Sequence, residues 1–149
     1  MGIIAFLRWN TQKRLTLLSY IYSAFFSFEI RFIKSKYLRK GWGLEGVESP
    51  ETVEPWKYRY ARNVAYVVDR ICTKTAWESK CLVRALTAQK LLKAKGISST
   101  MYLGCGYDEG KMVAHAWLRC GKMYVTGGDG SNYSIVDKFA VMWNDVTKD

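Results

Sequence analysis

The chain has 149 residues, 49% hydrophobic and 15% aromatic, with only two prolines, which is enough for one packed domain and excludes a disordered or low-complexity protein. It carries 23 Lys and Arg against 13 Asp and Glu, and the excess sits at the front, where residues 1–40 hold eight Lys or Arg against Glu29 alone. Such a concentration suits nucleic acid, an anionic membrane surface or an acidic peptide partner.

The first apolar run, Gly2 to Leu7, stops at Arg8 without a small-residue cleavage site, so no signal peptide is expected. The uncharged run Leu15 to Phe28 is 14 residues long. A spanning helix needs roughly 20, so the sequence predicts no transmembrane segment, but a helix buried on the body or lying on a partner. Residues 1–40 read as one or two helices, closed by "RFIKSKYLRK" and the glycine break "GWGLEG". With Pro50 and Pro55 following, the boundary falls near residues 41–56. The expected organisation is an N-terminal helical region over 1–56, with a basic partner-docking surface, and a second unit over 57–149.

In "EPWKYRYARNVAYVVDRICTK" the residues Val64, Val67, Val68 and Ile71 recur at helical spacing. Thr73 to Ser79 follows as a loop. The next helix is predicted from about Glu78 to Lys95, with Ser79 as N-cap, a stripe of Leu82, Val83, Leu86, Leu91 and Leu92, and a stop at Gly96. Then "SSTMYLGCGY", "MVAHAWLRC" and "MYVTGG" read as three short strands of an antiparallel meander. The fold class is α+β.

Cys81 falls at a helix start, where unpaired backbone N–H groups and the helix dipole favour a negative charge. It is either a packing cysteine or a nucleophile. His115 is the one histidine of the chain, so an imidazole base has one candidate; its other reading is a plain strand histidine. On a strand from Met112 to Arg119 it shares a face with Val113, Trp117 and Arg119, while Ala114, Ala116 and Leu118 point the other way. Trp117 would then wall the same cleft or simply fill a core. A tight turn at Cys120-Gly121 would set Thr126 opposite His115 and bring Gly127, Gly128 and Asp129 to the far edge of the ring. Asp129 is there the nearest carboxylate to orient the imidazole, or else a turn residue. Trp77 and the Cys81 N–H are where an oxyanion would be stabilised. Cys72, Cys105 and Cys120 are assigned to packing, with Cys105, between two glycines, close to the cleft. The cysteines form no C-x-x-C pair and are read as reduced thiols of a cytoplasmic protein; with His115 they match no zinc knuckle, so no metal and no cofactor is expected.

The block "CLVRALTAQKLLKAKG" followed by "AHAW", at this order and spacing, resembles the transglutaminase-like cysteine proteases of lasso-peptide biosynthesis, over roughly residues 57–128. The resemblance implies a papain/transglutaminase-like core with the nucleophile helix packed on an antiparallel sheet, Cys81 as nucleophile and His115 as base. The family commonly carries an Asp about a dozen residues after the His; here that place is Gly127, so the third role would fall to Asp129, Thr126, Asn132 or a backbone carbonyl. It further implies removal of a leader from a precursor peptide, a small leader-recognition protein as partner and a separate ATP-dependent cyclase. No nucleic acid is expected as partner in this reading. Two alternatives stay open: an acyltransferase using the same dyad, and a basic binding module for peptide, nucleic acid or anionic lipid with a structural Cys81.

Overall fold

The computed structural model describes residues 10–74 and 80–143. Residues 10–40 hold one long helix, α1 (Thr11–Phe32), whose start is capped by Asn10 Oδ1 accepting from Lys13 N at 2.9 Å. A single turn, α2 (Ser35–Leu38), and a 3-10 turn at Arg39–Gly41 lead to the two-residue strand β1 (Leu44–Glu45). Helix α3 (Pro55–Lys74) opens on a proline, which fits a first-turn position because its missing N–H has no helical partner there.

Helix α4 (Cys81–Ala94) starts three residues later than its periodicity predicts. Ser79, the expected cap, and Glu78 lie outside the described residues, and Lys80 leads in with extended backbone. The stop is as expected. Gly96 adopts φ +75, and the N–H of Ile97 reaches back to Leu92 O at 3.0 Å, closing the last turn.

Four strands follow: β2 (Ser99–Asp108), β3 (Lys111–Cys120), β4 (Met123–Thr126) and β5 (Ser134–Val141). The sheet order is β1-β5-β2-β3-β4, with antiparallel pairing throughout. The meander expected from sequence is therefore the β2-β3-β4 half of a larger sheet. Strand β5 returns to the open edge of β2 and bridges it to β1.

Helices α3 and α4 pack on one face of this sheet, and α1 packs across α3 and α4. Leu15 of α1, Val64 and Val68 of α3, and Leu86, Leu91 and Leu92 of α4 meet Met101, Leu118 and Phe139 of the strands in a single core. Each such side chain contributes about 1.5–3 kcal/mol on burial, so α1 is held by the same core as the sheet. Ser19 and Ser23, fully buried on α1, let it approach its neighbours closely.

The other face is closed by polar contacts. Arg119 is buried there and donates through Nε to Tyr102 Oη at 3.0 Å, through Nη1 to Gly121 O at 2.7 Å and Pro50 O at 3.1 Å, and through Nη2 to Ser49 O at 3.0 Å. Tyr102 Oη in turn donates to Glu48 Oε1 at 2.5 Å. These bonds strap residues 48–50 across the sheet. The Tyr102 hydrogen bond also holds the Glu48 carboxyl below its ordinary value. No helix among the described residues is long and apolar enough to cross a membrane.

Candidate active site

Cys81 is the first residue of α4 and half-buried, because the apolar stripe behind it anchors the helix while its head opens outwards. The first backbone N–H groups of a helix have no partner within it, so this end of α4 offers donors to an anion. It opens into a cleft of about 1130 Å³ between the C-terminal half of α1, the head of α4 and strands β2 and β3. Phe28, Phe32, Trp42 and Leu103 make the apolar walls, Arg31 and Arg39 add positive charge, and Ala114, His115 and Ala116 bring β3 to it.

His115 lies opposite Gly104 of β2 and is half-buried. Its Nε2 donates to the Gly127 carbonyl at 2.7 Å, with the tautomer assigned from that acceptor. A neutral ring held this way carries its lone pair on Nδ1. Two aromatic faces position it: Tyr133 stacks at 4.5 Å between centroids and 24° between planes, and Trp117 at 5.8 Å and 21°. Trp117 stacks onward on Tyr102 at 5.5 Å. Gly104 makes room for this stack, since a Cβ there would come within 2.8 Å of the Trp117 ring.

The register explains why a carbonyl holds the imidazole. The β3-β4 turn falls at Gly121 and Lys122, pairing Cys120 with Met123, and an irregularity between Leu118 and Arg119 then sets Thr126 opposite Leu118. Thr126 is thus three residues along the strand from His115 and not opposite it, a correction to the expected turn at Cys120-Gly121. Gly127, where the chain leaves β4, has φ +76 and lies so close to β3 that a Cβ would be 2.5 Å from Ala116 O. Only glycine delivers its carbonyl there.

Asp129, the carboxylate expected to orient the ring, instead accepts from Ser131 N at 3.0 Å, and that backbone bond holds it below its ordinary value. It is exposed and has no hydrogen bond to His115. Asn132 is exposed beside it in the same turn. Trp117 stacks on the imidazole and does not line the Cys81 cleft. Trp77 lies outside the described residues. Cys81 and His115 reach one cleft, and among the described residues no hydrogen bond joins Sγ to the ring. Strand alternation keeps the imidazole on the Trp117 and Arg119 face of β3, while Ala116 and Leu118 face the helices.

None of the other thiols is in a disulfide. Cys72 and Cys120 are buried, and burial pushes the Cys120 thiol up to about 11. Cys105 is half-buried opposite Ala114 on β2. Sequence reasoning missed Tyr133, which carries no motif, whereas Gly127 was findable as the residue twelve places after the histidine.

A cysteine at the head of a central helix, packed on an antiparallel sheet that carries a histidine, is the architecture of cysteine-dependent acyl-transfer enzymes. A profile of the transglutaminase-like superfamily matches residues 30–144, and the chain belongs to that superfamily, whose members are in general cysteine-dependent enzymes of protease and acyltransferase kinds. No curated protein and no solved structure matches the chain.

Proposed function

We propose that the protein is a cysteine endopeptidase that removes the leader from a ribosomally made lasso precursor peptide. The observation that carries this reading is the head of α4, where Cys81 opens into an apolar cleft that His115 also lines. In the reaction, His115 Nδ1 takes the Sγ proton and Cys81 Sγ attacks the scissile carbonyl carbon. The oxyanion is met by N–H groups at the head of α4, with Trp77 as a further candidate on the segment before it. The C–N bond then breaks, the leaving amine takes the proton from the imidazolium, and a thioester remains. Water, deprotonated by the same imidazole, releases the acyl group as a free carboxylate and returns Sγ as thiol. The imidazole lies on the Trp117 face of β3, away from the helices, so this reading requires it to leave the Gly127 carbonyl and swing to the Sγ side when substrate binds.

A leader-recognition protein presents the precursor, and an ATP-dependent cyclase takes over the cleaved product. The reaction belongs in the cytoplasm, where cysteines outside disulfides stay reduced. Acyl transfer to an amine has the same first half, and superfamily membership favours it as a second reading. The deciding experiment is mass spectrometry of a precursor peptide incubated with the protein and the leader-recognition protein. Two fragments, one with a new free carboxylate, lost on Cys81→Ala, support the peptidase. A new amide supports the transferase, and turnover that survives Cys81→Ala overturns both.

A further inference from the structure

On α1 the residues Leu17, Ile21, Phe25, Phe28 and Phe32 are spaced by three or four positions, so they line up along one side of the helix, and they are 36–68% exposed. The buried side of the same helix is carried by Leu15, Ser19 and Ser23. The helix thus has a core face and a second apolar stripe that none of the described residues covers. Contiguous exposed apolar surface of this kind marks a binding site.

Two features say what it binds. The stripe is continuous with the catalytic cleft, since Phe28, Arg31 and Phe32 at its C-terminal end are themselves cleft walls. Along its middle, Ile21 and Phe25 border a groove of about 520 Å³, whose far side carries Lys90 and Lys93 of α4 and whose floor includes Trp42, a wall of the cleft as well. Arg31, Lys90 and Lys93 have no ion-pair partner among the described residues, and Glu29 is the one acid bordering the groove. The surface is apolar, rimmed by unpaired cations, and leads to Cys81.

We infer that this stripe is an exosite for the peptide substrate, holding an apolar segment flanked by carboxylates and passing the adjoining chain to Cys81. The inference rests on the peptidase reading. From Leu17 to Phe32 the helix rises about 22 Å, which accommodates about four turns of helical peptide or some seven extended residues. The recognition segment therefore lies within about that length of the scissile bond.

The test reads binding, so that its outcome is separate from whether cleavage occurs. Fluorescence anisotropy is measured with full-length Cys81→Ser protein and two labelled synthetic peptides. Both place Leu and Phe at helical spacing, one flanked by Glu and its twin flanked by Lys. The Glu-flanked peptide is expected to bind, more weakly as salt rises, and its twin about tenfold more weakly or not at all. Phe25→Ser and, separately, the pair Lys90→Glu with Lys93→Glu are each expected to weaken the Glu-flanked peptide about tenfold with an unchanged circular dichroism spectrum. Equal binding of the twins, absence of binding, or indifference to both variants overturns the exosite. So does co-sedimentation with phosphatidylglycerol vesicles, or a self-associated dimer, that is lost in Phe25→Ser while the acidic peptide fails to bind. Cleavage that proceeds normally in Phe25→Ser with unchanged peptide affinity would leave the peptidase standing and remove the exosite.

Discussion

His115 donates its Nε2 proton to the carbonyl of Gly127 at 2.7 Å, so a backbone dipole stands where a carboxylate was expected. The bond depends on the left-handed backbone at Gly127 and its approach to Ala116 O. Gly127→Ala would therefore displace the carbonyl. If His115 is the base, kcat should fall about 10²-fold, as for a misplacement of about 1 Å, with KM nearly unchanged. Asp129→Asn keeps an oxygen for Ser131 N and should leave kcat near that of the wild type. Steady-state kinetics on the precursor peptide decide between the two residues; a collapse in Asp129→Asn alone would restore the carboxylate.

Stacking of Tyr133 on the imidazole gives a second handle on the same ring. Tyr133→Phe retains the aromatic face and should retain activity. Tyr133→Ser removes it and should lower kcat more than it raises KM. Equal kinetics for the two variants would assign Tyr133 to packing only.

Thiol chemistry separates Cys81 from Cys120. With the Cys120 thiol pushed up to about 11 by burial, its thiolate is scarce at neutral pH. Brief treatment with iodoacetamide followed by peptide mapping should label Cys81 and spare Cys120 and buried Cys72. His115→Ala should slow labelling of Cys81 if the imidazole serves it. Labelling of Cys81 no faster than that of Cys105 would return it to the packing cysteines.

Arg119 satisfies five acceptors with one guanidinium, Thr100 Oγ1 at 3.4 Å among them, a fork that an ammonium cannot reproduce. Arg119→Lys should cost about 2–3 kcal/mol in urea unfolding, because buried carbonyls lose their donors. A loss below about 0.5 kcal/mol would mean that residues 48–50 hold to the sheet without it.

Acid should loosen the same strap. Glu48 is held below its ordinary 4.5, chiefly by the Tyr102 hydroxyl, so it is a group whose folded value is depressed. Its contribution is fully present above the unfolded value and is lost as pH falls through the folded one. Glu48→Gln should therefore narrow the stability difference between neutral pH and pH below 4.5, measured by denaturant midpoints across that window. An unchanged pH dependence would show that the carboxylate adds nothing there.

Local patterning determined much of this protein. The stripe Val64 to Ile71 specifies α3, because a helix with one apolar face must bury it, the apolar run Leu82 to Leu92 specifies α4, which is buried on nearly every side, and Gly96 ends α4 through a backbone conformation that other residues resist. The α+β order, the strand carrying His115 and the place of Cys81 at a helix head were legible for the same reason. Non-local pairing decided the rest. The sequence of β5 shows no clean alternation, since Ile135 and Val136 are both exposed and the strand pairs across an irregularity at Leu103/Gly104, so its place beside β2 follows from the sheet. A turn placed one residue later than expected, at Gly121 and Lys122, together with a one-residue irregularity between Leu118 and Arg119, set Thr126 opposite Leu118 and not His115, and no local propensity records such a slip. Helix α1 is apolar on two sides, so only packing could choose the side with Ser19 and Ser23 for the core and leave Ile21, Phe25 and Phe28 facing outwards.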